Sequence, residues 1–145
     1  MPHDARAVET AAWLAKADQD LGAARLLVAG YPDVALFHCQ QAVEKALKAF
    51  LVAHDVPFRR SHDLREIGMQ CVRIEPGLER LVRNAAPLAV FAWRTRYPDE
   101  DIEPVAREEV DAVMTIAAAT VAPSPRVDRR SVALPAGSQC GLGTG

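Results

Sequence analysis

The run Phe37-His38-Cys39-Gln40-Gln41-Ala42-Val43-Glu44-Lys45-Ala46-Leu47-Lys48 gathers imidazole, amide and ammonium groups in one short stretch. On an α-helix at ~100° per residue, His38, Gln41, Lys45 and Lys48 share an arc of roughly 80° and climb about 15 Å. Such a ladder suits anion chemistry. Ammonium groups meet phosphate as point charges, and an imidazole near neutral pH donates a hydrogen bond or moves a proton. Glu44 stands at the edge of the arc, four residues before Lys48, the spacing at which helical ion pairs form. On the other side Leu36, Val43, Leu47, Phe50 and Leu51 recur at three- and four-residue intervals, so the same helix carries a packing face.

Five further groups extend the pattern. His62 and Asp63 open a later helical segment. If that start lies beside the ladder, its free N–H groups and positive dipole end reinforce anion binding. Arg96 and Tyr97 fall in a turn-rich connection, where a guanidinium can fork onto phosphate oxygens and a phenol can stack on a base. Asp20, on an earlier helix, is placed to face Lys45. Each residue also has a structural explanation. Lysines on a helix are commonly solvated, Asp63 is a helix cap, Glu44 a partner for Lys48, and Asp20 with Lys45 a register-setting pair. Tyr97-Pro98 can equally pack under the fold.

Composition narrows the rest. The chain has 145 residues, the size of one domain. Its 17 Lys and Arg against 19 Asp and Glu leave a formal charge of −2, so anion binding must rest on a local patch. Cys39, Cys71 and Cys140 show no metal-ligand spacing, and no metal or cofactor is implied. Asp4, Arg6 and Glu9 are foreign to a secretory leader, and no apolar run approaches the ~20 residues that span a bilayer. The expected location is cytoplasmic, without membrane contact.

The elements that must position these groups are helical. A first helix is expected over about Val8–Ala29, with Leu14, Ala17, Leu21, Ala24 and Val28 as its seam. Gly30 is expected as a left-handed C-cap and Asp33 as an N-cap, which makes the first two helices antiparallel neighbours. The second runs about Val34–His54. A third, shorter helix starts near Ser61–Leu64, with Ser61 and Asp63 competing to cap it. A fourth covers Gly77 to about Arg94, with a kink or a break at Pro87. Pro104 begins a fifth. The expected architecture is all-α, an up-and-down bundle of four to five helices over residues 8–120, followed by a disordered tail over 121–145.

Four features occur in order: Asp20-Leu21 with Ala24; His38, Gln41-Ala42, Glu44-Lys45 and Lys48; Ser61-His62-Asp63-Leu64; and Arg96-Tyr97-Pro98. Together they resemble the HEPN domain, the higher-eukaryote and prokaryote nucleotide-binding family, over roughly residues 10–120. The resemblance implies a helical bundle, commonly a homodimer. It also implies association with a minimal nucleotidyltransferase in toxin–antitoxin or nucleotide-handling pairs. Many members are RNases that use an Arg followed four to six residues later by His, and none of His3, His38, His54 or His62 has such an arginine.

The leading expectation is a nucleotide- or nucleic-acid-binding module with a nucleotidyltransferase-type partner and no catalytic residue assigned. Its ligand residues are His38, Gln41, Lys45, Lys48, His62, Arg96 and Tyr97, with Asp20, Glu44 and Asp63 as a structural network. A divergent metal-independent RNase and a purely structural dimerisation module are the alternatives.

Overall fold

The computed structural model describes residues 2–98 and 103–122. The expected tail lies outside the described residues from position 123 onward, as do residues 99–102 of the charged connection. Five helices carry the described chain: α1 (His3–Leu27), α2 (Pro32–Ala53), α3 (Leu64–Ile74), α4 (Glu79–Ala85) and α5 (Arg107–Val121). Pro76–Leu78 and Ala86–Ala92 form 3-10 segments on either side of α4, and no strand is present among the described residues. The architecture is all-α.

α2 is the central element and packs against α1, α3, α5 and the Ala86–Ala92 segment. Its apolar residues exceed what one face needs. Leu36, Val43, Leu47 and Leu51 turn one way while Ala42, Ala46 and Ala49 allow close approach elsewhere, and all are buried. Leu36, Leu51, Leu64 and Ile67 are among the largest fully enclosed side chains, each worth about 1.5–3 kcal/mol of apolar burial. Because neighbours cover so much of α2, its polar Gln40, Glu44 and Lys48 are carried inside as well. Contacts between α1 and α2 run in opposite senses along the two helices. Asp20 meets His38 and Lys45, Trp13 meets Lys48, and Arg6 meets Asp55.

Helix ends depart from expectation in informative ways. α1 begins at His3 rather than near Val8. Gly30 is not left-handed. The hairpin closes instead by the N–H groups of Gly30 and Tyr31 donating to the Leu27 carbonyl at 3.2 and 2.7 Å. Pro32 occupies the first turn of α2, which its fixed φ favours, so Tyr31 is the N-cap and Asp33 sits two positions past it, near the positive dipole end. The left-handed residue is Asp55, at φ 56° just beyond α2. There the Val56 N–H reaches the Leu51 carbonyl at 2.9 Å and the Asp55 N–H reaches Val52 at 3.0 Å, closing the helix as a Schellman turn.

Asp63 prevails over Ser61 as the cap of α3, accepting the Arg65 N–H at 3.0 Å, while the Ser61 hydroxyl accepts the Asp63 N–H at 3.0 Å. The expected fourth helix breaks around Pro87: α4 ends at Ala85 and the chain tightens into the 3-10 segment. α5 begins at Arg107, leaving Pro104 outside it. Val110, Val113, Ala117 and Val121 form its buried side, so the bundle includes Val121, where the tail was expected to start. No helix among the described residues is long and apolar enough to cross a membrane.

Candidate functional site

Helical spacing sends the polar residues of α2 in two directions. Toward α1, His38 and Lys45 lie two turns apart on one face, and the Asp20 carboxylate enters between them. Oδ1 of Asp20 lies 2.9 Å from His38 Nδ1, and Oδ2 accepts from the Lys45 ammonium. Asp20 is buried, whereas the His38 and Lys45 side chains keep about a quarter of their surface, 27% and 25%. A carboxylate only accepts, so the imidazole carries its proton on Nδ1 and leaves Nε2 outside the pair.

Toward the start of α3, Glu44 anchors a second cluster. Its carboxylate accepts from Lys48 Nζ at 2.7 Å, from Gln40 Nε2 at 3.0 Å and from His62 Nδ1 at 3.0 and 3.1 Å. Gln41 Nε2 donates to Gln40 Oε1 at 2.7 Å and so ties the outer arc to the buried cluster. The Glu44 and Lys48 side chains are only 4% and 7% exposed. The Lys48 ammonium sits 5.5 Å from the ring centres of both Trp13 and Phe58, which meet edge to face at 5.9 Å. These rings take the place of water around the cation. Burial pushes the Glu44 carboxyl up. Hydrogen bonds from Lys48, Gln40 and His62, with the charge of Lys48, outweigh it and hold the group below its ordinary 4.5. Glu44 is therefore a carboxylate in a nearly dry site. His62 hangs at the rim of this cluster, 74% exposed, with Nδ1 toward Glu44 and Nε2 outside the pair.

A third group joins the first cluster from the Trp93–Pro98 connection. The Arg96 guanidinium lies 5.3 Å from the Phe37 ring centre and 5.7 Å from that of Tyr97, and the Phe37 ring meets the His38 ring at 5.5 Å. Phe37 thus links Arg96 to the His38 end of α2. Tyr97 is 68% exposed and does not pack under the bundle.

The ladder expected on α2 is consequently divided into two carboxylate-centred clusters. His38 and Lys45 share Asp20; His62 and Lys48 share Glu44. Lys48, expected to meet phosphate, is enclosed by Trp13 and Phe58 with its charge matched internally. Asp20 accepts from Lys45, Glu44 accepts from Lys48, and Asp63 is spent on capping α3. Gln40, Trp13, Phe37 and Phe58 were not legible as site residues from sequence. For Gln40 the usable signal was its i, i+4 spacing to Glu44; the aromatic partners are distant in sequence and left no such mark.

Other reactive groups are quiet. Burial pushes the Cys39 and Cys71 thiols up to about 11 and about 12, which keeps them protonated and poorly nucleophilic. Among the described residues no group of three or more His, Cys, Asp or Glu side chains is arranged to hold a metal ion. Of the site residues Arg96, Tyr97 and His62 are exposed, while His38, Gln41 and Lys45 are half-buried, and each of the two imidazoles is oriented by a carboxylate. These are hydrogen-bonding, stacking and proton-transfer groups without an activated nucleophile.

No curated protein and no solved structure matches the chain. The family model described as the HEPN domain matches residues 10–122, a span that takes in both carboxylate clusters, Arg96 and Tyr97. The chain therefore belongs to the HEPN domain family, whose members are nucleotide- or RNA-binding and RNase-like modules.

Proposed function

We propose that this protein is a nucleotide- or nucleic-acid-binding module that acts as a homodimer beside a minimal nucleotidyltransferase, as one half of a toxin–antitoxin-like pair. The observation that carries the binding reading is Arg96 lying over Phe37, beside the exposed Tyr97 and next to the Asp20–His38–Lys45 cluster. With a net charge of −2 the chain has no general pull on anions, so an accessible guanidinium next to stacking surface marks the local site. In this reading Arg96 forks onto phosphate, Tyr97 stacks on a base, and His38, Gln41 and Lys45 add hydrogen bonds. His62 supplies a second contact further along α2. Asp20 and Glu44 position the imidazoles, and Lys48 acts indirectly by holding Glu44.

Calorimetric titration of the full chain with ATP, GTP and a short single-stranded RNA, with and without a minimal nucleotidyltransferase, tests the reading. Arg96→Ala is expected to weaken binding at least tenfold, about 1.4 kcal/mol, while leaving the thermal midpoint nearly unchanged. No binding of any of the three, with the partner present or absent, ends the proposal.

A second reading, a divergent metal-independent RNase, draws on His62. Its Nδ1 is held by a buried carboxylate while most of the ring is exposed, the arrangement of an oriented general base. In that case the protein cuts single-stranded RNA in the presence of EDTA, and His62→Ala abolishes cutting. Inertness toward several RNAs, or undiminished cleavage by the variant, retires it.

A further inference from the structure

We propose that the groove between α3 and the α4–Ala92 segment is a docking site for an acidic amphipathic helix of a partner protein. The hollow measures about 800 Å³, and its floor is apolar, with Val72, Val82 and Pro87 among its lining. Met69 stands at its edge, 51% exposed although it is a large apolar side chain. Arg65, Met69 and Arg73 follow at i, i+4 and i+8 on α3, so one face presents cation, apolar group and cation. The two arginines are about 12 Å apart along the helix axis at 1.5 Å per residue.

The charges around the groove do not cancel. Arg65, Arg73 and Arg83 outnumber Asp63 and Glu79 among its lining, Glu79 is paired with Arg83, and Asp63 accepts the Arg65 N–H as the α3 cap. Among the described residues Arg65 and Arg73 have no carboxylate partner. The complement is a helix carrying carboxylates two turns apart with large apolar side chains between them, laid into the groove. A nucleic-acid backbone would satisfy the arginines but leave the apolar floor wet. The chain's own segment 123–145 is a poor occupant, because Arg126, Arg129 and Arg130 against Asp128 repeat the sign of the rim. The groove is lined by none of the residues assigned to ligand above, so the inference stands apart from that reading.

The full chain, immobilised, is offered a phage-displayed library of random peptides of about sixteen residues, roughly four helical turns. Enriched sequences are expected to place Asp or Glu seven or eight positions apart with Leu, Ile, Met or Phe between them. The winning peptide, synthesised and followed by fluorescence anisotropy, should bind at least tenfold more weakly to the Arg65→Glu/Arg73→Glu chain and to Met69→Asp. Arg96→Ala should bind it normally, and circular dichroism should report unchanged helix in all variants. The proposal is overturned by a library that yields no enriched sequence or one without acidic residues, by binding that survives both groove variants, or by displacement of the peptide by single-stranded RNA. It is equally overturned if sedimentation shows a dimer that Met69→Asp splits, since a second copy would then be the occupant.

Discussion

Glu44→Ala should cost about 3–5 kcal/mol of folding stability, the largest loss expected of any single side chain in the two carboxylate clusters. The reason is what stays behind. Lys48 keeps an ammonium that is 7% exposed, between Trp13 and Phe58, with no counter-charge, while Gln40 and His62 lose their acceptor. Glu44→Gln, which keeps the shape but not the charge, should recover only part of the loss. Glu44→Leu combined with Lys48→Met should be less damaging than Glu44→Ala alone, because a pair of apolar groups leaves no stranded charge. Urea denaturation of the four proteins measures this directly. A loss below about 1 kcal/mol for Glu44→Ala would mean that Lys48 swings out to water and that the cluster is not a closed unit.

The same carboxylate sets a pH dependence. Its native pKa lies below the ordinary 4.5, so the unfolded chain takes up its proton first as pH falls. The stabilisation is fully present above about 4.5 and is lost as pH drops through the lowered native value. The stability gap between the native chain and Glu44→Gln should therefore be constant near neutrality and narrow below that point. A gap independent of pH down to the acid transition would contradict the assignment.

Gly68→Ala is the second large effect, expected to destabilise by about 1–3 kcal/mol despite the better helix propensity of alanine. A Cβ at Gly68 would lie 2.4 Å from Val82 Cγ1. Val82 is buried and β-branched, so it has little room to turn away. Gly68 is thus what lets α3 lie against α4, and this contact also shapes the groove beside Met69. Val82→Ala introduced with Gly68→Ala should return much of the loss, giving a clear coupling in a double-mutant cycle. Additive losses would place the strain elsewhere.

The self-neutralised clusters bear on recognition as well. Two of the cations that give α2 its anion-binding look are each held by a carboxylate from the same bundle, Lys45 by Asp20 and Lys48 by Glu44. The Asp20–Lys45 pair crosses from α1 to α2 and so bears on how those two helices meet, whereas Glu44 and Lys48 both lie on α2. The two carboxylates also aim the two imidazoles, taking Nδ1 in both cases. A polyanion approaching α2 would find little free charge on the helix itself. Arg96, brought to Phe37 by the loop after the 3-10 segment, supplies it.

Much of this protein was legible in the chain as written. The all-α character, the antiparallel first hairpin and the interruption at Pro87 follow from local rules of periodicity, turn residues and capping, which act within a few residues; the choice of Asp63 over Ser61 as the α3 cap does not. The pairing of Glu44 with Lys48 follows the same way, from i, i+4 spacing on one helix. The facing of Asp20 and Lys45 needed only the antiparallel hairpin in addition.

Tertiary structure alone decided how the polar face of α2 is shared out. A helical wheel sets the direction of each side chain but not what covers it. His38, Gln41, Lys45 and Lys48 look equivalent on the wheel, yet Trp13 and Phe58 close over Lys48 while Lys45 keeps partial access to water. The close approach at Gly68 was likewise settled by how α3 and α4 dock. Burial depends on neighbours far away in sequence. For a charged group, burial separates a ligand contact from a structural pair, because a cation enclosed with its counter-ion has neither the water access nor the free charge to meet a phosphate.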